Sequence, residues 1–425
     1  MSNHNKISLQ SAILMNINIM AGAGIFINIA LLTQHLQLFG GSLYFIIGCF
    51  MFPLIFTFAQ LVQRYPSGGF YAFAQPISPL LGFVSCWSYF FGKLGSAALY
   101  LTVISRMLIA LFPNVFGSIS PFIISLAILA LFLYFNCQNM KIGVIIQKFF
   151  VSAKVIPMLI LIGLGVYHFD INIFNQYPFN VPYLNFVLML PSVLYCFSGF
   201  EAACSISRNI ENASVNAPKA IFYSFLSVIV LYIGFQTLIS MMLMPNIENI
   251  SGYSEAYPYL MSLMPCSPFM QAKLATLMSL TIGFSAIGAA YGILFSNSWN
   301  LYTLAEHNHT FAATTLAQLN KHNIPHYTVL VEGAFCTLFL LLSNGNPITL
   351  QQISTLGGVI TYSISTIAFL YSSSSSRLMG WLSLGTCTGL FIACIISMLK
   401  YSTGSLYLFI GLISLGIAMY WANQK

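Results

Sequence analysis

The chain has 425 residues, of which 58% are hydrophobic and 5% are charged, with a formal net charge of +7. A water-soluble domain usually carries about a quarter charged residues, so this composition excludes a soluble globular protein. Apolar runs long enough to cross about 30 Å of hydrocarbon as helices recur along the whole chain. The sequence therefore predicts an all-α integral membrane protein.

The apolar runs predict about 12 transmembrane helices. In chain order they cover residues 12–33, 42–63, 80–112, 119–137, 144–167, 184–206, 220–244, 271–302, 327–343, 350–372, 378–399 and 405–422. The third and eighth runs are long enough to suggest tilted helices. Because the polar segments between the runs are short, we expect one transmembrane domain over residues 1–425 and no appended soluble domain.

The basic residues orient this bundle. With the N-terminus inside, nine bases fall in cytoplasmic segments and two, Lys273 and Lys400, in outer ones. The cytoplasmic set is Lys6, Arg64, Lys141, Lys148, Arg208, Lys219, Lys321, Arg377 and Lys425. Bases accumulate in cytoplasmic loops, so both termini are expected in the cytoplasm. The same distribution explains the positive charge without a nucleic-acid partner.

Cysteine and histidine positions give no sign of a metal centre. Eight of the nine cysteines lie within or at the ends of apolar runs and the ninth, Cys266, in a loop, with no C-x-x-C pair and no zinc-ligand spacing. We therefore expect no disulfide framework, metal site or cofactor. Four histidines share one loop, residues 307–326, which we interpret as a solvated linker.

Two apolar runs are interrupted by glycine at corresponding places. Span 1 contains "MAGAGIF" and span 6 contains "YCFSGFEAA". Glycine inside a helix costs about 1 kcal/mol relative to alanine, although a single one can serve packing. Two interruptions five spans apart predict inverted repeats over residues 12–167 and 184–372, with helices 1 and 6 discontinuous and two extra helices at 378–422.

A broken helix leaves backbone groups unpaired at the middle of the membrane, where they are tolerated if they line a binding site. The N–H groups at the start of the second half-helix suit a carboxylate. Free carbonyls on the other side of the break suit an ammonium group. Together they predict a receptor for a zwitterion, of which an α-amino acid is the clearest example.

Four motifs resemble those of the amino acid–polyamine–organocation (APC) transporters. They are "GAGIF" in span 1, "RYPSGGFYAF" after span 2, "FSGFEAACSISRNIENASVNAPKAI" in and after span 6, and "LNKHNIPHYTVL" before span 9. The resemblance implies a single transporter domain of five plus five inverted repeats with two extra helices. It also implies secondary amino acid transport by alternating access across the plasma membrane, here expected to be the bacterial inner membrane.

The resemblance implies that backbone groups at both breaks contact the substrate. Ala23, Gly24 and Ile25 would supply N–H groups to the carboxylate, and carbonyls near Ile19, Met20 and Phe197 would receive the amine. The other substrate-binding residues implied are Gly22 at the first break and Ser198, Gly199 and Phe200 at the second. Tyr195 and Tyr291 fall where related exchangers place aromatic residues against the substrate side chain. Packing between helices is an equally weighted interpretation of both tyrosines.

Lys154, in span 5, lies about 9 Å deeper along its helix than Lys148. Proton-coupled transporters of the family that the chain resembles have a lysine here, set against the unwound part of span 1. A desolvated lysine can release its proton under physiological conditions. We therefore expect Lys154 to couple transport to protons, the alternative being a lysine paired permanently with backbone carbonyls.

Four other ionisable residues lie within spans, where they are costly and usually face a partner or a cavity. Glu201, at the family's acidic position past the second break, is expected to link gating helices or handle protons. Lys93, near the middle of span 3, could neutralise an acidic ligand, pair with Glu201 or repel cationic substrates. Arg106 and Glu332 lie nearer helix ends, and we interpret them as structural.

The sequence leaves other functions open. The main alternative to proton-coupled uptake is an ion-independent amino acid or polyamine exchanger. A nutrient sensor that uses a transporter fold without transport is a weaker one. We find no catalytic cluster and so do not expect an enzyme. Neither the particular substrate nor the oligomeric state follows from the sequence.

Overall fold

The computed structural model describes residues 6–177, 180–343, 346–372 and 376–424. Over these ranges the chain is helical with no β-strand, and its α-helices are numbered here in chain order. The first ten are α1 (Leu9–Met20), α2 (Ala23–Leu36), α3 (Gly40–Arg64), α4 (Gly69–Ala74), α5 (Pro79–Leu111), α6 (Pro113–Phe116), α7 (Pro121–Asn136), α8 (Met140–Tyr167), α9 (Ile173–Gln176) and α10 (Tyr183–Cys196). The rest are α11 (Ala202–Ser205), α12 (Ala213–Leu243), α13 (Tyr253–Ser262), α14 (Pro268–Glu306), α15 (Ala313–Leu316), α16 (His326–Ser343), α17 (Pro347–Ser372), α18 (Arg377–Tyr401) and α19 (Thr403–Ala422).

The predicted all-α membrane fold is confirmed. Within the described ranges, nine helical segments are long and apolar enough to span a membrane, and one of them, Ala23–Arg64, contains both α2 and α3. Two further apolar helices, α1 and α7, are shorter than a full span. Span 1 is thus formed by α1 and α2 together, and span 6 by α10 and α11. Lys425, included in the basic-residue count, lies outside the described residues.

Local sequence explains where several helices begin. Ser8, Ser120 and Ser267 each accept a hydrogen bond from a backbone N–H three residues later, which caps α1, α7 and α14. Proline occupies the first turn of α5, α7 and α14, where its missing N–H costs nothing. These caps set where the membrane-crossing helices enter the bundle.

The helices differ sharply in how deeply they are packed. In the most apolar 18-residue stretch of α14, 72% is buried within the protein, whereas the corresponding share is 22% in α18 and in α19. Large apolar side chains on the last two helices, including Trp381, Ile392 and Leu415, are exposed. Exposed apolar side chains of this kind suit a lipid environment. Helices α5 and α14 therefore form the centre of the bundle, and α18 and α19 lie at its periphery.

The segment leading into α1 is tied to the segment that follows α11. Ile7 forms a parallel β-bridge with Ile210. The Ile7 N–H donates to the Asn209 carbonyl at 2.8 Å, and the Glu211 N–H donates to the Ile7 carbonyl at 3.0 Å. The two discontinuous spans are thus connected outside their breaks as well as at them.

Candidate functional site

The first break is a two-residue gap between α1 and α2, at Ala21 and Gly22. Gly22 is required by a close approach rather than by its dihedral angles. A Cβ atom at Gly22 would lie 2.5 Å from the Tyr100 hydroxyl of α5. The first turn of α2, Ala23 to Ile25, begins there without a side-chain cap at Gly22. The N–H groups predicted to receive a carboxylate therefore lie at an uncapped helix N-terminus, beside a tyrosine hydroxyl.

The second break separates α10 from α11 and contains Phe197, Ser198, Gly199, Phe200 and Glu201. Gly199 has a φ of +122°, a backbone conformation that side chains rarely allow. A Cβ atom at Gly199 would also lie 2.5 Å from Cγ2 of Ile19 and 3.1 Å from the Met20 N atom. The second break is therefore packed directly against the end of α1, so the two breaks form one locus.

Gly24 extends this locus on the α2 side. A Cβ atom there would lie 3.0 Å from the Cys196 sulfur and 3.9 Å from Cδ1 of Tyr195. Gly24 therefore faces the last turn of α10. Ala23 and Ile25 on either side of it are buried.

Carbonyl groups of both breaks are held by side-chain hydroxyls. The Tyr232 hydroxyl of α12 lies 2.8 Å from the Met20 carbonyl oxygen and 3.3 Å from that of Cys196. The Ser285 hydroxyl of α14 donates to the Ala21 carbonyl at 2.7 Å. A carbonyl oxygen has two lone pairs, and the Met20 oxygen uses both, because it also accepts from the Gly22 N–H at 2.7 Å. The hydroxyls thus hold these oxygens in place, and those of Ala21 and Cys196 each accept from a single hydroxyl.

Asn16 of α1 joins the first discontinuous span to the second half of span 6. Its Nδ2 donates to the Phe200 carbonyl at 2.8 Å and to the Ser224 hydroxyl at 3.2 Å. Its Oδ1 accepts from the Ala203 N–H at 3.0 Å, in the first turn of α11. One buried amide therefore caps a half-helix of the other span, a contact that fixes both breaks relative to each other.

Lys93 and Glu201 form a buried ion pair, with Nζ of the lysine 2.7 Å from Oε1 of the carboxylate. Glu201 also accepts from the Tyr89 hydroxyl at 3.2 Å and from the Gly199 N–H at 2.9 Å. Lys93 donates to the Ser198 hydroxyl at 3.0 Å. Of the roles considered for Lys93, pairing with Glu201 is the one the geometry displays. The pair attaches α5 to the second break.

Lys154 is fully buried on α8. Its Nζ donates to the Asn18 carbonyl at 2.9 Å, near the end of α1, and to the Ser285 carbonyl at 3.3 Å, on α14. No acidic side chain lies within ion-pair distance of it among the described residues. Lys154 therefore touches the discontinuous span at the backbone, two residues before α1 ends.

The two tyrosines predicted to face a substrate side chain lie in different surroundings. Tyr195 is next to Gly24, and its ring centroid lies 6.4 Å from that of Tyr100. Tyr291 is fully buried among aromatic rings, with centroids 5.3 Å away at Phe132, 6.2 Å at Phe295 and 6.5 Å at Phe150. The site at the breaks thus includes Tyr195 directly, whereas Tyr291 lies in an aromatic cluster.

The expectation that the histidine loop is a solvated linker is wrong for His309, which is 6% exposed. Its Nε2 shares a hydrogen bond of 2.9 Å with the Tyr71 hydroxyl, from the motif after span 2. Its ring also packs on Tyr420 of α19, with centroids 4.8 Å apart. Burial is the main cause that lowers the pKa of His309, and the nearby His307 lowers it further, to about 4. This histidine is therefore a neutral packing group.

Sequence reasoning missed three residues that shape the breaks: Asn16, Tyr232 and Ser285. Asn16 was detectable, because amides are rare in an apolar span and it lies just before the first break. Tyr232 and Ser285 carry no local signal. Each belongs to a helix remote in sequence, and only the packing brings its hydroxyl to the break.

An all-helical bundle in which two discontinuous helices meet at their breaks is an architecture of secondary transporters. Comparison with known proteins agrees. The chain belongs to the amino acid permease family, whose model matches residues 7–422. Membership makes it a multi-pass membrane protein of a transporter family rather than an enzyme, with amino acid transport as its broad activity. The resemblance to APC transporters is thereby confirmed.

Individual relatives are distant. The chain is 25% identical to the uncharacterized transporter lpg1691 of Legionella pneumophila over 322 residues. The aligned region covers 70% of this chain and 66% of the relative. It is 25% identical to the amino-acid permease AapA of Bacillus subtilis, over 77% of this chain and 70% of the relative. It is 24% identical to the human Asc-type amino acid transporter 1, over 86% and 71%. The matches thus span about two thirds of these relatives' lengths.

Proposed function

We propose that the protein imports an α-amino acid by alternating access, driven by an inward proton gradient. The observation that carries the proposal is the contact between the two breaks, where Gly199 packs against Ile19 and Met20. The locus brings together an uncapped helix N-terminus and carbonyl oxygens, the two halves of a zwitterion receptor. The residues proposed to form it are Ile19, Met20, Gly22, Ala23, Gly24, Ile25, Phe197, Ser198, Gly199 and Phe200, with Tyr195 and Tyr291 towards the substrate side chain.

In this site the substrate carboxylate accepts from the N–H groups of Ala23, Gly24 and Ile25. Its ammonium group donates to carbonyls at the end of α1 and at Phe197. Because backbone supplies both contacts, the receptor recognises the α-amino acid group, and the surrounding side chains select among amino acids. Support for this division comes from Gly24, where the backbone of α2 approaches Tyr195 and Cys196 so closely that a Cβ atom would lie 3.0 Å from the Cys196 sulfur.

Lys154 is proposed as the coupling residue, with Glu201 and Lys93 stabilising the gating helices. As an ammonium, Lys154 donates to the Asn18 and Ser285 carbonyls and so ties α1 to α14. Loss of its proton towards the cytoplasm leaves a neutral amine, whose hydrogen bonds to the two carbonyls are weaker than those of an ammonium. Substrate binding at the same break then shifts the Lys154 proton equilibrium, and by linkage the proton shifts substrate affinity equally.

The repeat organisation and the orientation belong to the same proposal. Residues 12–167 and 184–372 are proposed as inverted repeats, with 378–422 as added helices, in one domain with both termini in the cytoplasm. The membrane proposed is the bacterial inner membrane. The basic-residue bias and the exposed apolar faces of α18 and α19 support this arrangement.

A competition panel tests the substrate and the energy source together. The protein is reconstituted in proteoliposomes, and a labelled amino acid competes with unlabelled amino acids and with putrescine, with and without an inward proton gradient. Concentrative uptake that requires the gradient is the expected result. Counterflow at full rate without any gradient, and no gradient-driven accumulation, would identify an exchanger instead.

A further inference from the structure

Glu332, which sequence reasoning treated as structural, is fully buried on α16 about 9 Å from the start of that helix. Its Oε1 accepts from Nδ2 of Asn297 on α14 at 3.0 Å. Its Oε2 is buried and has no hydrogen-bond partner among the described residues. A carboxylate in these surroundings would have one neutral donor and no counter-ion.

No ion pair to Glu332 is formed within the described part of the chain, and Lys93 of the neighbouring α5 is paired with Glu201. Phe90 of α5 contributes its carbonyl, which accepts from the same Asn297 amide, and α7 contributes Leu133 beside Gly333. Helices α15 and α17 carry no charged side chain. On α16 itself the Cys336 thiol lies one turn further along the helix, and a thiol carries no positive charge in either protonation state. Ionising Glu332 in these surroundings would therefore be strongly unfavourable.

Glu332 is also the end of a polar chain that reaches the second discontinuous span. Asn297 accepts through Oδ1 from Nδ2 of Asn300 at 3.1 Å. The same Asn300 amide donates to the Ser205 hydroxyl, the last residue of α11, at 3.0 Å. Asn297, Asn300 and Ser205 are all buried. This polar chain of side chains therefore connects Glu332 on α16, through α14, to the half-helix that follows the break at Gly199.

We propose that Glu332 is a proton-binding site, neutral in the conformation described here, whose proton is held as long as the contact between Ser205 and Asn300 is closed. When that contact opens, water reaches the polar chain and hydrates the carboxyl. The O–H bond of Glu332 then breaks and the proton passes to water. Protonation of Glu332 thus stabilises the closed contact, independently of Lys154.

The protonation state is testable by infrared spectroscopy of the purified full chain, without any transport assay. The chain has only seven Asp and Glu residues, so a single protonated carboxyl is resolvable. The C=O stretch of a neutral carboxylic acid should be present near neutral pH in the wild type, lost in E332Q and retained in E211Q, a control in an exposed loop. Identical spectra for the wild type and E332Q would overturn the proposal.

Glutamine has the shape of a neutral glutamic acid and keeps an oxygen for Asn297, so E332Q should insert and fold. Failure of E332Q to fold would therefore also count against a neutral Glu332. In that case S205A, which leaves Glu332 intact and removes the last contact of the chain, is used for the transport measurement below.

The link to the Ser205 contact, which rests on the proposed transport function, is tested by counterflow at the same pH on both sides of the vesicle. Wild-type exchange should slow towards acidic pH, because protonation favours the closed contact. E332Q should remain at the slow acidic rate at every pH, and S205A should lose the acidic slowing. A wild-type pH profile in either variant would overturn this link. Absence of counterflow in the wild type with every amino acid would instead reject the proposed function, with the infrared result unaffected.

Discussion

At the scale of single residues, Lys154 bears the strongest consequence. Its ammonium donates to one carbonyl on α1 and one on α14, and within the described ranges no acidic side chain pairs with it, so backbone groups hold its charge. K154A should keep substrate binding and some exchange but lose uptake driven by an inward proton gradient. The measurement is labelled uptake in proteoliposomes with an imposed gradient.

The matched control is K148A, which removes an exposed lysine six residues earlier on the same helix. It should concentrate substrate as the wild type does. If K154A still accumulates substrate in response to the gradient, the coupling role passes to another group, such as Glu201.

Tyr232 is the residue whose single hydroxyl contacts a carbonyl at the end of each first half-helix, Met20 and Cys196. Y232F removes only that hydroxyl, and the loss of one buried hydrogen bond should cost about 1 kcal/mol of stability. The Tyr232 hydroxyl also orients the Met20 carbonyl, which is proposed to contact the substrate, so substrate affinity should fall as well.

Y257F provides the comparison, since the Tyr257 hydroxyl donates to the Phe26 carbonyl of α2, one residue beyond the N–H groups proposed to bind the carboxylate. It should lose similar stability with unchanged substrate affinity, as read by thermal unfolding and by equilibrium binding. Equal substrate affinities in Y232F and Y257F would show that Tyr232 contributes to packing and not to substrate binding.

His309 makes stability depend on pH. Burial lowers its pKa from 6.5 in the unfolded chain to about 4, so the unfolded state binds the proton more readily between these values. Its contribution is therefore present above about pH 6.5 and lost as the pH falls towards 4. H309Q should unfold at temperatures that change less between pH 7 and pH 5 than those of the wild type.

H322Q tests whether this effect belongs to His309. His322 lies in the same loop but is only half-buried, so its replacement should leave the wild-type pH dependence intact. Parallel curves for the wild type and H309Q would show that the contact with Tyr71 does not resist protonation.

At the scale of helices, the second break depends on glycine. Gly199 combines a φ of +122° with a backbone approach to Met20, so G199A should destabilise the protein by about 1–3 kcal/mol through strain and should weaken substrate binding. G234A, in the interior of α12 with open space around it, should be stabilising by up to about 1 kcal/mol. Thermal unfolding of the two variants is the measurement, and equal midpoints would contradict the reason given for the break.

The breaks could be predicted because glycine in an apolar run is a local signal, and the structure ends α1 at Met20 and α10 at Cys196. Partners across the bundle could not be predicted in the same way. Lys93 left three roles open until packing placed it 2.7 Å from Glu201. Tyr291 lies among rings from α7, α8 and α14, and no spacing within α14 could reveal that. Short sequence segments thus predict local conformation, whereas they do not predict contacts between helices that are distant in sequence.

At the scale of the whole molecule, the proposed orientation places Lys273 outside and Lys321 inside. Both side chains are exposed. Single cysteines at these positions, in a background without the nine native cysteines, should react with a membrane-impermeant reagent from opposite faces of intact cells or vesicles. Labelling of both positions from the same face would reject the orientation and the even number of spans.

The Lys93–Glu201 pair has an electrical consequence. The two charges cancel at the second break, and a zwitterionic substrate adds none, so on the proposed mechanism the proton is the net charge carried in each cycle. One elementary charge crossing 100 mV is worth about 2.3 kcal/mol. An inside-negative membrane could then concentrate the substrate roughly 50-fold with no pH difference at all. Because the buried pair is neutral, the membrane potential would drive substrate accumulation as effectively as the pH difference does.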